Sequence, residues 1–240
     1  MDKLALLRGA PKEITPLIVI KQPTLEEIMT YGERNYWQLV ASLTSSSYDC
    51  RFFLDDNGFA YEDVEDYVVF CMQIMMLEPG ESAILFGDTD LYDFSPDTID
   101  GEEVLLNKKN GAIINRYIYN EIVEYLRDLH GLKRNWQEAA NSFTRRYIME
   151  EERKELEEKL KNQDPDDSSY APLISALVNC SDFKYDYDSI WGLTIYAFMD
   201  SAKQVQKLNN YRNVMTGVYT GNIDSKKLPK ESSTWIGGTS

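Results

Sequence analysis

The side chains most able to do chemistry are one histidine and three cysteines, set among forty carboxylates. His130 stands directly before Gly131 at the end of a predicted helix, where an imidazolium can stabilise the negative end of the helix dipole. A capping or packing role is therefore expected for this residue. A single histidine excludes a multi-histidine metal site. Cys50, Cys71 and Cys180 are far apart, and no local feature indicates an activated thiol, so we expect free, buried thiols in a reducing cytosol.

The segment from Gly87 to Asp93 (GDTDLYD) is the densest acidic loop, and closely spaced oxygen ligands are what calcium requires. Its spacing lacks the central glycine and the closing glutamate of an EF-hand loop, which favours a solvated turn. Glycine-rich phosphate loops are absent, and the two glycines of residues 217–221 (GVYTG) are typical of a pair of turns. The sequence therefore predicts a protein that is not an enzyme and has no catalytic residue, cofactor or metal.

The formal net charge of -15 is confined to residues 49–103, which we call the acidic segment. This segment holds sixteen Asp and Glu and a single base, Arg51, while the other 24 of the 40 acids are balanced by 24 of the 25 bases. Such a surface bears on solubility and on the choice of partner. Because the bases are scattered, we expect no direct nucleic-acid binding. An acidic surface that imitates DNA and occupies a host protein is an open alternative.

Hydrophobic periodicity predicts a mainly helical chain. A capping box formed by Thr24 and Glu27 precedes the first helix. In the second helix, four acids fall in the first turns, where negative charge favours the positive end of the helix dipole. The predicted long helices are 25–43, 61–76, 116–130 and 189–208, with Asp188 or Ser189 as N-cap of the last, and a shorter helix at 173–178 and a largely charged helix at 145–161 complete the set.

Residues 104–106 and 112–114 read as a β-hairpin that turns at Asn110–Gly111, and residues 17–20 read as a short strand. Residues 82–99 alternate apolar and acidic side chains, which predicts short extended pieces and turns. The resulting fold class is mainly α with a minor β-hairpin element, a helical bundle-like globular protein.

Residues 163–169 (QDPDDSS) are the best linker candidate. They separate an N-terminal helical region, 1–162, which includes the small β element and the acidic segment, from a C-terminal helical region, 170–228. A flexible tail, 229–240, follows, and a single domain with a surface loop at the linker is the alternative. The apolar patches near the N-terminus are too short for a signal peptide or a membrane span, so we expect a soluble protein without a membrane partner.

Two long stretches carry a family resemblance: QPTLEEIMTYGERNYWQLVASLTSSSYD, and PLISALVNCSDFKYDYDSIWGLTIYAFMDSAKQVQKLNNYRNVMTGVYTGNIDSKKL. They resemble proteins of similar length from the tail gene clusters of long-tailed phages and prophages of Firmicutes. FGDTDLYDF and NRYIYNEIVEYLRDLHG also fit, so the resemblance spans residues 15–228. Proteins in that gene position commonly resemble tail assembly chaperones, which bind the tape measure protein before the tail tube polymerises around it.

The resemblance implies a phage tail morphogenesis factor that acts in the cytoplasm of the host bacterium and contacts the tape measure protein, the tail tube protein, or both. It supplies no catalytic residues. A structural tail or head-tail component of the virion, and an acidic DNA mimic or other inhibitor of host defence, remain open as alternatives. The oligomeric state is not readable from the sequence.

These inferences combine into one hypothesis, in which an acidic, aromatic-rich surface holds an elongated helical partner with apolar anchors in a groove and charges at its rim. The candidate anchors are also candidates for the core. The rim candidates are Asp55, Asp56, Glu62, Asp63, Glu65 and Asp66, and the candidate anchors are Trp191, Tyr196, Phe198 and Trp235.

Overall fold

The computed structural model describes residues 2–136, 142–162, 168–229 and 234–236. Within these ranges the chain is mainly helical with two small antiparallel sheets, which confirms the mainly α class with a minor β element. The helices are α1 Lys3–Leu7, α2 Leu25–Tyr31, α3 Glu33–Thr44, α4 Arg51–Asp56, α5 Asp66–Ile74, α6 Ala83–Phe86, α7 Arg116–His130, α8 Ser142–Asn162, α9 Tyr170–Val178 and α10 Ile195–Tyr219. The strands are β1 Lys12–Thr15, β2 Ile18–Ile20, β3 Phe94–Ile99, β4 Glu102–Asn107 and β5 Ile113–Ile114, and short 3-10 turns lie at Tyr61–Asp63, Leu91–Asp93, Ile190–Gly192 and Ser225–Lys227.

The predicted helix 25–43 is two helices, α2 and α3, that meet at Gly32. The capping box is confirmed, because the Glu27 carboxylate accepts from the Thr24 backbone N–H at 2.7 Å and the Thr24 hydroxyl accepts from the Glu27 N–H at 3.2 Å. Gly32 has φ of 97°, a conformation that side chains with a Cβ rarely adopt. The glycine on the apolar stripe therefore marks a break in the helix.

The predicted hairpin is confirmed, with Leu105 opposite Ile114 and Leu106 opposite Ile113 in β4 and β5. The sequence reading missed β3, which pairs along the whole of β4. The β3–β4 turn is Asp100–Gly101, where both residues have positive φ, 51° and 84°. That geometry is typical of the Asp-Gly turn, so a local signal for this second hairpin was present. The expectation of only extended pieces and turns in residues 82–99 is wrong at the short helix α6.

The second predicted helix begins later than expected, at Asp66. Val64 and Glu65 are extended, with ψ of 123° and 140°, and they separate the helix from the preceding 3-10 turn that carries Glu62 and Asp63. The helix-dipole interpretation of the four acids therefore applies only to Asp66, and α5 ends at Ile74, before Pro79–Gly80.

The last long helix starts at Ile195 rather than near residue 189. Backbone pairing with the N-terminal region fixes this start, since Leu25 N–H donates to the Leu193 carbonyl and Ile195 N–H donates to the Pro23 carbonyl, each at 2.9 Å. The paired backbone is extended up to Thr194, which is the N-cap residue. Neither of the predicted caps, Asp188 and Ser189, is therefore the N-cap of this helix. The backbone N–H and the hydroxyl of Ser189 instead donate to the Asp186 carboxylate, at 2.9 Å and 2.5 Å.

The helix α10 also runs further than predicted and ends at Tyr219, so the first three residues of the predicted turns at 217–221 are helical. All of its residues are described, and only Ile195 and Phe198 among them are buried. Beyond its first turn, α10 therefore lies along the surface.

One main hydrophobic core contains side chains from both predicted regions. Trp37 on α3 meets Tyr170 on α9 with ring centroids 6.2 Å apart, and Tyr170 meets Phe198 on α10 at 5.9 Å. The Glu33 carboxylate accepts from the backbone N–H groups of Ser169 at 3.0 Å and Tyr170 at 3.2 Å, so α3 caps the start of α9. The domain boundaries stay a prediction, and residues 163–167 of the predicted linker lie outside the described residues.

The only histidine of the chain is buried in this core, at the C-terminal end of α7. Its Nδ1 lies 2.7 Å from the Leu126 carbonyl and its Nε2 lies 2.6 Å from the Tyr36 hydroxyl. A carbonyl only accepts, so Nδ1 carries the proton and Nε2 accepts from Tyr36. Burial lowers the pKa of His130 to about 4, so of the two expected roles the structure supports packing, with a neutral ring in the core, and not capping by an imidazolium.

His130 makes stability depend on pH. Its ordinary pKa of 6.5 applies in the unfolded chain and the folded pKa is about 4, so between these values the unfolded chain binds more protons. We expect the free energy of unfolding to fall by about 2 kcal/mol between pH 7.5 and 5 because of this group. Urea unfolding of the wild type and of His130→Gln at several pH values checks this, with the difference between the two profiles isolating the histidine. Parallel profiles would contradict it.

Candidate partner-binding face

The acidic segment builds a small hydrophobic cluster of its own, separate from the main core. Its buried members are Tyr48, Leu54, Tyr61 and Val69. Leu54 lies on the inner side of α4 and is completely buried, whereas Asp55 and Asp56 at the end of the same helix are exposed. The buried apolar side chains of this cluster therefore support α4 and keep these carboxylates at the surface.

The helix α8 lies on this surface. We call the surface the acidic face, and it consists of the carboxylates of Asp55, Asp56 and Glu62 and the rings of Phe52 and Tyr61. Arg145 of α8 reaches two of the carboxylates, with Nη2 3.5 Å from Asp55 Oδ1 and Nη1 3.3 Å from Glu62 Oε2. Its guanidinium also lies 4.8 Å from the centre of the Tyr61 ring. Ion-pair and cation–π contacts therefore act on the same group.

Arg153 makes the equivalent contact two helical turns further on. Its Nη2 lies 3.0 Å from Asp56 Oδ1, and its guanidinium lies 5.4 Å from the centre of the Phe52 ring. Residues eight apart on a helix share one side and are separated by about 12 Å along the axis. The acidic face thus presents two guanidinium sites, each made of carboxylate and ring.

A fourth ion pair, of opposite polarity, also joins α4 and α8. Arg51 of α4 is only 4% exposed at its side chain, and its Nη2 lies 2.9 Å from Glu152 of α8. Arg51 Nε also donates to the Tyr48 carbonyl at 2.9 Å. The single base of the acidic segment is therefore used to bind α8.

Two of the predicted rim residues lie elsewhere, beside a cleft of about 470 Å³ between α5, α7 and residues 134–136. Glu65 pairs with Arg116 at 2.8 Å, and Asp66 pairs with Arg134 at 2.5 Å while also accepting from the Ser47 N–H. Arg134 stacks on Trp136, with its Cζ 3.2 Å from the ring centre. These acids connect the acidic segment to the first residue of α7 and to the residues that follow its C-terminal end.

The structure thus brings Asp55, Asp56 and Glu62 together and places Asp63 at the exposed surface nearby in sequence. The predicted anchors are not part of this face. Trp191 and Tyr196 pack half-buried against the main core, Phe198 is completely buried in it, and Trp235 is 38% exposed in the short described stretch 234–236.

Sequence reasoning missed the exposed aromatic side chains next to the acidic face. Phe53 is 43% exposed and Phe59 is 50% exposed, and both flank Asp55 and Asp56 in the sequence RFFLDDNGF. Exposed phenylalanines beside carboxylates are an available local signal for a contact surface.

The other candidates for chemistry serve structural roles. The Asp90 carboxylate accepts from the Gly80 N–H at 2.6 Å and from the Ser82 hydroxyl at 2.7 Å, and Asp93 pairs with Lys109 at 2.6 Å. In the ranges that the structure describes, no group of three His, Cys, Asp or Glu side chains is arranged to bind a metal ion.

The three cysteines are free and half-buried. Burial raises the pKa of both the Cys50 and the Cys71 thiols. Each of these two thiols is therefore held in its protonated, unreactive form.

The guanidinium groups of Arg145 and Arg153 are among the described contacts between α8 and the acidic face, so removing both should loosen α8. In Arg145→Gln/Arg153→Gln we expect amide hydrogen exchange in α8 to be about five- to tenfold faster, with α7 unchanged. Exchange measured by mass spectrometry on peptides from α8 and α7 checks this. The matched control is Lys184→Gln/Lys207→Gln, which removes the same charge from exposed positions outside α8. Equal exchange in both variants would contradict the assignment.

Residues 164–239 match the family model described as the YomV second domain, a phage-derived domain. The matched range begins in the predicted linker and contains α9 and α10. No curated protein and no solved structure gives a match. None of the described helices is both long and apolar enough to cross a membrane. About the last third of the chain is thus similar to a phage-derived domain, which is consistent with the resemblance to a Firmicutes phage family.

Proposed function

We propose that this protein is a phage tail morphogenesis factor, a tail assembly chaperone that binds the tape measure protein without covalent chemistry. The observation that carries the proposal is the acidic face, which binds a helix through two guanidinium groups. The similarity of residues 164–239 to a phage-derived domain supports the phage context. An elongated helical partner is the kind of ligand that such a face accepts.

The composition of the acidic face suits a temporary complex. Exposed carboxylates raise the association rate of a basic partner and set its register, but they add little affinity in water. Phe53 and Phe59 offer limited apolar area beside them. A chaperone of this kind covers the apolar stripe of its partner in the host cytoplasm and releases it when tail tube subunits replace the chaperone.

We expect the acidic face to account for tape measure binding. Asp55→Asn/Asp56→Asn/Glu62→Gln should weaken pull-down of the co-expressed tape measure protein by at least about tenfold and flatten its salt dependence, because three charge contacts are lost. The matched control is Glu78→Gln/Asp88→Asn/Glu102→Gln, which removes three exposed acids from elsewhere in the acidic segment. Quantitative pull-down at low and moderate salt measures both.

Two outcomes would contradict the proposal. One is no binding of the tape measure protein to the wild type even at low salt. The other is the presence of this protein in purified virions at a fixed copy number, which is the behaviour of a structural component. Competition with DNA for a host protein would instead support the DNA-mimic alternative.

A further inference from the structure

We infer that α8 is a displaceable strap that occupies the acidic face in the free protein, and that the partner is a helix which repeats the pattern of contacting residues in α8. The inference rests on the proposed function, because it takes the acidic face to be the partner-binding site. Beyond that function, α8 competes with the partner for the acidic face, and the contacting residues of α8 predict the sequence pattern of the partner helix.

The described side chains of α8 are partly or fully exposed to solvent. Of its side chains that the structure describes, none is buried, whereas the much shorter α9 buries Tyr170, Ile174 and Leu177. Helices in proteins normally gain their stability from a buried apolar face. Arg153 and Asp56 remain 49% and 56% exposed at their side chains, and exposed pairs of this kind contribute little. Among the described contacts between α8 and α4, the Arg153–Asp56 pair is therefore the weaker one, and the more buried Arg51–Glu152 pair is the one that a replacement helix must reproduce.

The segment α8 does not need its contact with α4 to be helical. Its sequence from Glu150 to Lys161 (EEERKELEEKLK) consists of strong helix formers. Glu150 and Lys154, and likewise Glu157 and Lys161, have the i, i+4 order that stabilises an isolated helix. Opening therefore exposes the acidic face and leaves a strap that is still mostly helical but frays more often than the docked helix, so that its amides exchange faster.

The acidic face recognises α8 through a pattern of contacts. Arg145 and Arg153 fill the two guanidinium sites, half-buried Ile148 lies between them, and Glu152 meets Arg51. Because the Arg51 side chain is only 4% exposed, a replacement helix must also supply a carboxylate.

The partner helix should therefore carry arginine at i and i+8, an apolar residue at i+3 and an acid at i+7. Arginine is required rather than lysine because its planar group contacts a carboxylate and a ring together.

The test uses the full-length chain and a labelled synthetic peptide of residues 142–162 as probe. Fluorescence anisotropy at low salt should show binding to the variant Arg145→Gln/Arg153→Gln, whose own strap is weakened, and at least about tenfold weaker binding to the wild type, where the native strap competes at high effective concentration. A peptide that carries Arg145→Gln/Arg153→Gln should not bind, and one that carries Glu152→Gln should bind more weakly than the unchanged peptide.

Failure of the peptide to bind a variant that unfolds at the wild-type temperature would overturn the inference, as would equal binding to the wild type and the variant. If the variant does not fold, excess peptide added to the wild type should speed exchange in the native α8, and unchanged exchange would then overturn it. These results are independent of the tape measure pull-down. Peptide binding without tape measure binding would uphold the strap and reject the tail chaperone.

Discussion

The rest of the structure depends on one electrostatic constraint, which is that sixteen carboxylates share the acidic segment with a single base. Positive charge must therefore come from later parts of the chain. Arg116 at the start of α7 and Arg134 beyond its end pair with the acids at the start of α5, and Arg145 and Arg153 pair with the acids around α4. These contacts join α7 and α8 to the acidic segment, and α7 is also held by its buried face in the main core. The small hydrophobic cluster around Leu54 and Tyr61 packs beneath the acids that make these ion pairs.

The helices on either side of residues 163–167, α8 and α9, contact the rest of the protein through different kinds of interaction. The helix α9 is anchored by Tyr170, which packs between Trp37 and Phe198, and by the Glu33 carboxylate that caps its start. Because Tyr170 and Phe198 are buried, the contact between their rings is lost only with the fold. The helix α8 is attached through charge at the surface, where screening and competing ions weaken it. A permanent helix and an exchangeable one therefore lie on either side of the predicted linker.

Local signals in the sequence predicted the elements that are determined locally. The bounds of α7 follow from Asn115, whose side chain accepts from the Ile118 N–H at 3.0 Å, and from Gly131 in the left-handed conformation. The start of α10 could not be predicted, because it depends on pairing with Pro23 and Leu25, about 170 residues earlier. The acidic face was predicted only as a set of carboxylates, since contacts such as Arg153 with Asp56 join residues far apart in sequence and leave no periodic pattern.

A helical partner that replaces α8 on the acidic face frees α8 and covers α4. Hydrogen exchange in α8 of the wild-type protein, with and without a saturating amount of the tape measure protein, tests this replacement. Exchange in α8 should become faster when the partner binds, while exchange in α4 becomes slower. Slower or unchanged exchange in α8 upon binding would contradict it.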